Sequence, residues 1–266
     1  MGKIVDRIQS FVRQSMLSFK SLFAWLDPKI YILVKVINPA LQLMFFCILL
    51  SYVYKTDDLT PWVIGNAFIL CTFNAMFGVG ITLIAERFYG TLKMVIVSPT
   101  NSFVIFFARA FFHVLDASIT VIVGLVVGFI FFNFRIPIEN IPIFTLTLLC
   151  CMYAAACLGL LVGSFGLLVT DINMLLNIAS MMLLFFSGAN FPIDRLPVVL
   201  QKISYALPMT RSIEAGRLVA SQGPIEAISK LIFMEFIVGT IYLVIGYVVL
   251  KILERVAYKN ATLEVY

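Results

Sequence analysis

Arg109, His113 and Asp116 stand four and three positions apart inside an apolar run, so a helix through them carries all three on one face. A base, a titratable ring and a carboxylate in that register suit a proton relay or the polar lining of a substrate path or of a seam between subunits. They also suit a structural part. Asp116 would then be hydrogen-bonded to His113 or to a neighbouring helix, while Arg109 reaches the membrane surface along its own aliphatic stem. The structural part is preferred, because a charge in hydrocarbon is costly and rarely stands alone. Glu235, in a later apolar run, is expected near the outer interface.

Other chemistries lack their residues. Cys47, Cys71, Cys150, Cys151 and Cys157 all lie in apolar runs without Cys-x-x-Cys spacing, and the chain has a single histidine, so no zinc or haem ligand set is expected. There is no His-Glu-x-x-His and no Gly-x-Ser-x-Gly. Gly2-Lys3 is followed by Ile4 rather than Ser or Thr, so it forms no phosphate loop. The chain is therefore expected to be no enzyme, to hold no metal or cofactor, and to take its energy from a partner or an ion gradient.

The elements that position these residues follow from composition. Of 266 residues, 62% are hydrophobic and only 12% charged, with a mean hydropathy of +1.04. A soluble domain carries about a quarter charged residues. A membrane is the solvent this composition fits, and nucleic acid is not an expected partner. Apolar stretches at about 30–52, 62–85, 103–132, 141–168, 173–190 and 230–251 approach or exceed the roughly 20 residues that cross a bilayer, the fifth most weakly. Residues 3–26 carry an apolar stripe at three-to-four spacing with Lys3, Arg7, Arg13 and Lys20 off it, which predicts a helix lying in the interface, an ordinary core helix being the alternative. Asp6, Arg7 and Arg13 interrupt what would be the apolar part of a secretory leader.

One all-α domain over 1–266 is thus expected: interfacial helix 1–29, spans one to five over 30–190, hairpin 191–229, span six 230–252 and tail 253–266. Lysines and arginines collect before span one, after span two (Arg87, Lys93) and after span six (Lys251, Arg255, Lys259), which puts both termini in the cytoplasm. Arg195, Lys202, Arg211 and Arg217 fall on the opposite side, in a segment long enough to escape that rule.

Two segments stand out. Between spans two and three runs Glu86-Arg87-Phe88-Tyr89-Gly90-Thr91-Leu92, with Ser98-Pro99 beyond it. A charged pair, a short amphipathic piece and a proline predict a helix on the cytoplasmic surface, where Gly90 admits another backbone. Before the last span, Phe186-Ser187-Gly188 leads through Pro192 and Pro197 to two short amphipathic pieces separated by Pro208. Broken helices of this length do not cross a membrane; they suit a hairpin dipping into the outer leaflet, or a loop on the headgroups.

In order and placement these pieces resemble the membrane subunit of type-two ABC exporters, the family of drug, antibiotic and polysaccharide export permeases. The likeness covers nearly the whole chain. It implies that Glu86, Arg87, Gly90, Thr91 and Leu92 form a coupling helix, and that Gly188, Pro192, Pro197 and Pro208 belong to a re-entrant hairpin. It further implies a multi-pass inner-membrane protein, paired with a second permease copy and carrying two cytoplasmic ATPase subunits that bind ATP and Mg. The stretch from Glu86 to Leu92 looks closer to the drug and antibiotic branch, whose substrates are hydrophobic or amphipathic, than to polysaccharide exporters. An ion-coupled secondary transporter using Arg109, His113, Asp116 and Glu235 is the rival reading, weakened by the absence of matched halves.

Overall fold

The computed structural model describes residues 27–88, 90, 102–169 and 171–259; the side chains of Pro28 and of residues 83–88, 102–112 and 257–259 lie outside that description. The interfacial helix expected over 3–26 also lies outside the described residues, as does the end of the tail. Every regular element among the described residues is helical.

Helix α1 opens at Pro28, with Asp27 accepting a bond from the Lys29 N–H at 2.9 Å as its cap. It runs through Pro28–Ile32, a π stretch Leu33–Ile37 and a second α stretch Asn38–Tyr54. Pro39 accounts for the widening, since it offers no N–H to the Lys35 carbonyl and its ring crowds that carbonyl. The Asn38 N–H reaches back to Leu33 O instead. Helices α2 (Thr60–Phe88), α3 (Ser102–Phe131) and α4 (Ile141–Ser164) follow, α4 flanked by single 3-10 turns. Then come α5 (Ile172–Phe186), α6 (Val198–Ala206), α7 (Thr210–Ala220) and α8 (Ile225–Lys259).

Five of these helices are long and apolar enough to cross a membrane: α1, α2, α3, α4 and α8. The fifth expected span is shorter than 173–190. Its helix stops at Phe186, because Gly188 turns the chain with φ +75°, and its 15 residues rise about 22 Å against a hydrocarbon core of about 30 Å. The last span is longer than 230–252. It starts at Ile225, where the Pro224 carbonyl accepts from the Ala227 and Ile228 N–H groups, so residues 225–229 belong to this helix rather than to the hairpin. It then continues beyond 252 to Lys259, with Lys251 and Glu254 paired at 2.9 Å one turn apart.

Helix α2 is the centre of the fold, with Val63, Ile64, Ala67, Phe68, Cys71, Ala75 and Met76 all fully buried. Residue pairs fix the directions of its neighbours. Phe68 meets Phe144, Thr72 meets Cys151 and Met76 meets Gly159, numbers rising together, so α4 runs parallel to α2. Val63 faces Gly128 and Gly78 faces His113, so α3 runs antiparallel. Gly80 faces Leu176 and Gly65 faces Ala189, so α5 is antiparallel too. Gly239 and Gly246 lie against Tyr153 and Leu161, making α8 parallel to α4. A Cβ at Gly128 would fall 2.4 Å from Val63 Cγ1 and one at Gly159 would fall 2.5 Å from Met76 O, so both small-residue positions let helix axes close up. Large apolar side chains remain outward on α1, α3 and α8, as lipid-facing surfaces require.

Candidate functional site

Between α5 and α8 the chain folds over the end of the bundle where α2 and α4 begin. Gly188 holds its left-handed turn with Ile193 so near that a Cβ would lie 2.6 Å from Ile193 Cγ1. Pro192 leads into a 3-10 turn (Ile193–Arg195), Pro197 precedes α6, and Pro208 sits in the turn between α6 and α7. In the first two positions the fixed proline φ starts the turn that follows. One guanidinium fastens this region: Arg217 donates from Nη2 to Ala189 O at 2.8 Å and from Nε to Pro61 O at 3.0 Å. Burial takes Arg217 down to about 10, leaving it charged at neutral pH. Asn66 on α2 donates to Asn190 at 3.0 Å, a second tie to the same helix.

The start of α7 is held from α8. Met209 adopts a left-handed conformation, φ 82°, costly for a side chain with a Cβ, and its N–H donates to Glu235 Oε1 at 2.5 Å. Thr210 donates to Ser204 O at 2.7 Å. Glu235 is fully buried here, at a helix N-terminus whose amides lack intrahelical acceptors. On the outer side of the same turn, Tyr205 donates to Glu214 at 2.7 Å and the Arg211 guanidinium lies 5.5 Å over the Tyr205 ring.

Within the bundle a second polar cluster joins α1, α2 and α3. Asp116 is ion-paired with Lys35 of the π stretch and accepts from the Tyr31 hydroxyl at 2.5 Å. Lys35 also donates to Asn74 Oδ1 at 2.8 Å, and Asn74 returns its own Nδ2 to Leu70 O. Lys35, Asp116 and His113 are all buried. His113 and Asp116 therefore share a protein-facing side of α3, whereas the Arg109 side chain lies outside the described residues. Sequence reasoning missed Tyr31, Lys35 and Asn74. A signal was present: a lysine inside an apolar run, four residues before a proline, demands a carboxylate from another apolar run, and Asp116 is one such residue.

At the opposite end of α2, Gly90 turns left-handed at φ +69°, exposed, with none of the described residues within 4 Å of where its Cβ would stand. This is the glycine that closes a helix. Glu86 and Arg87 fall on the last turn of α2, and their side chains, with Thr91 and Leu92, lie outside the described residues.

The sequence from 13 to 220 matches a family described as ABC-2 type transporter. The chain belongs to that family. Two curated relatives are both inner membrane transport permeases called YhhJ, from Escherichia coli strain K12 and from Shigella flexneri, each 26% identical over 156 residues. The aligned part is 57% of this chain and 41% of each relative, so the chain spans about two fifths of the length of the curated relatives it matches. An ABC-2 permease domain is the membrane-spanning part of a transporter, not its ATPase. The match runs from before α1 to the end of α7, and so takes in both polar clusters except Glu235.

Proposed function

We propose that this chain is the membrane subunit of an ATP-driven exporter in the inner membrane, working as a pair of permease copies with two cytoplasmic ATPase subunits that supply ATP and Mg. The observation that carries the reading is the exposed turn at Gly90, set just past the C-terminal end of α2, the most buried membrane helix among the described residues, in an ABC-2 permease. Helix α2 is 29 residues long, about 43 Å, and its other end is bonded to the hairpin through Pro61 and Asn66. A displacement applied by an ATPase at residues 86–99 reaches the hairpin along one stiff element. Such a displacement does work only if the contact differs between the ATPase's two states.

Helix α5 and the bend after it make a sixth crossing in this reading, completed where the hairpin enters the outer leaflet. Its antiparallel run, from the level of Gly80 to that of Gly65, supports this, as do the basic residues at the two ends on the Gly90 side. Both termini are then cytoplasmic. The substrate is a hydrophobic or amphipathic molecule leaving the cytoplasm or inner leaflet, in keeping with the apolar helix faces.

Co-expression with a candidate ABC ATPase subunit tests the reading. The purified pair should hydrolyse ATP and the permease alone should not. Gly90→Trp should leave the permease inserted while transport and substrate-stimulated hydrolysis fall together, and normal transport by that variant would move the contact elsewhere.

A further inference from the structure

Helices α3 and α4 each pack along α2 but touch one another little, and they part to leave an open groove of about 600 Å³. Val121, Leu125 and Phe129 line one wall, Phe144 and Leu148 the other, and Arg135 of the connecting segment stands at the mouth. We propose that this groove holds one acyl chain of an anionic phospholipid, with Arg135 on its phosphate. The proposal is independent of what the transporter carries.

Three features commit the groove to that occupant. Its wall on α4, from Ile141 to Met152, rises about 16 Å, and one leaflet of hydrocarbon is about 15 Å deep. Its walls ask for nothing polar: Thr145 is bonded to Ile141 O in its own helix, and Ser118 donates to Met152 Sδ at 3.8 Å across the floor. A polar drug or a sugar would find no partners along such walls, whereas a hydrocarbon chain needs none. The mouth is cationic. Arg135 is exposed and has no carboxylate partner among the described residues, while nearby Glu139 lines a separate recess with Asn140 and Gln222. A guanidinium offers paired donors to a phosphate, at the level where an interfacial headgroup lies. Zwitterionic lipid would fill the same walls but gain less at the mouth.

The test uses the full chain in nanodiscs of equal phosphatidylglycerol and phosphatidylcholine with identical acyl chains, re-extracted in mild detergent, with retained lipid counted by mass spectrometry. Phosphatidylglycerol should be retained about fivefold over phosphatidylcholine, the preference one arginine near an anionic headgroup gives. Arg135→Gln, at an exposed site that leaves folding untouched, should remove the preference, and Arg135→Lys should restore part of it. Lys202→Gln, another exposed cation on the same side, should leave it unchanged. Leu125→Trp, which fills the groove, should lower retention of both lipids. Unchanged preference in Arg135→Gln, or equal losses in Lys202→Gln, would reduce the site to general attraction between lipid and a basic surface and overturn the proposal. A shift of oligomeric state on filling the groove would overturn it in favour of a second copy as occupant.

Discussion

Lys35 in the π stretch of α1 is ion-paired with Asp116 in the middle of α3, and both side chains are buried. The pair is the polar link between the first membrane helix and the central bundle. With Tyr31 and Asn74 completing its hydrogen bonds, it satisfies groups that hydrocarbon would leave bare.

Breaking that pair from one side is expected to cost about 3 to 5 kcal/mol, because the other charge is left buried without its partner. Asp116→Leu and Lys35→Met should each lower the melting temperature of the purified chain sharply. The double change Lys35→Met with Asp116→Leu should recover much of the loss, short of all of it because Tyr31 and Asn74 lose their partners. Additive losses in the double variant would show that the two side chains are not coupled.

Glu235 should matter to the hairpin rather than to a proton path. Glu235→Gln keeps an oxygen for the Met209 N–H and should cost little, whereas Glu235→Leu leaves that amide buried and unsatisfied, a loss of about 1 to 3 kcal/mol. Amide exchange at Met209 and along the first turn of α7 should speed up in the leucine variant alone. Uniform acceleration along α8 instead would mean that the span, not the cap, had failed.

Labelling fixes the sidedness of the hairpin. The native cysteines Cys47, Cys71, Cys150, Cys151 and Cys157 are all buried, so an impermeant thiol reagent should pass them by. Ser204 is fully buried and unsuitable as a reporter, but Lys202 and Ser221 are exposed. Lys202→Cys and Ser221→Cys should react from outside intact cells, and Lys259→Cys only after permeabilisation. The opposite pattern would invert the orientation and detach residues 86–99 from the cytoplasm.

A pH response is expected at the hairpin. Burial raises the Glu214 carboxyl above its usual 4.5, against the Tyr205 hydrogen bond and the Arg217 and Arg211 charges that lower it. The folded form therefore holds its proton more tightly than the unfolded chain. Stability from this group is complete below about 4.5 and is lost as pH rises through the folded value. Melting curves of the wild type and of Glu214→Gln should diverge across that window and run parallel above it; parallel curves throughout would remove Glu214 as the source.

Much of this was legible along the chain because hydropathy is a local, additive property. Apolar runs of spanning length, the proline breaks at Pro192, Pro197 and Pro208, and the glycine turn at Gly188 are written into consecutive residues, and the membrane class and the order of helices follow from them. The exact ends were less so: Ile225 begins the last helix because Pro224 supplies carbonyl acceptance there, a preference that an apolar count does not register.

Contacts between distant residues were decided only by the tertiary structure. Asp116 finds Lys35, Met209 finds Glu235, and Arg217 finds Pro61, because the close approaches of Gly128 to Val63 and of Gly159 to Met76 set how far each helix slides along α2. Periodicity names the face a residue occupies. It says nothing of the height at which that face meets its neighbour, and one turn of slippage, about 5.4 Å, would part these polar groups from their partners.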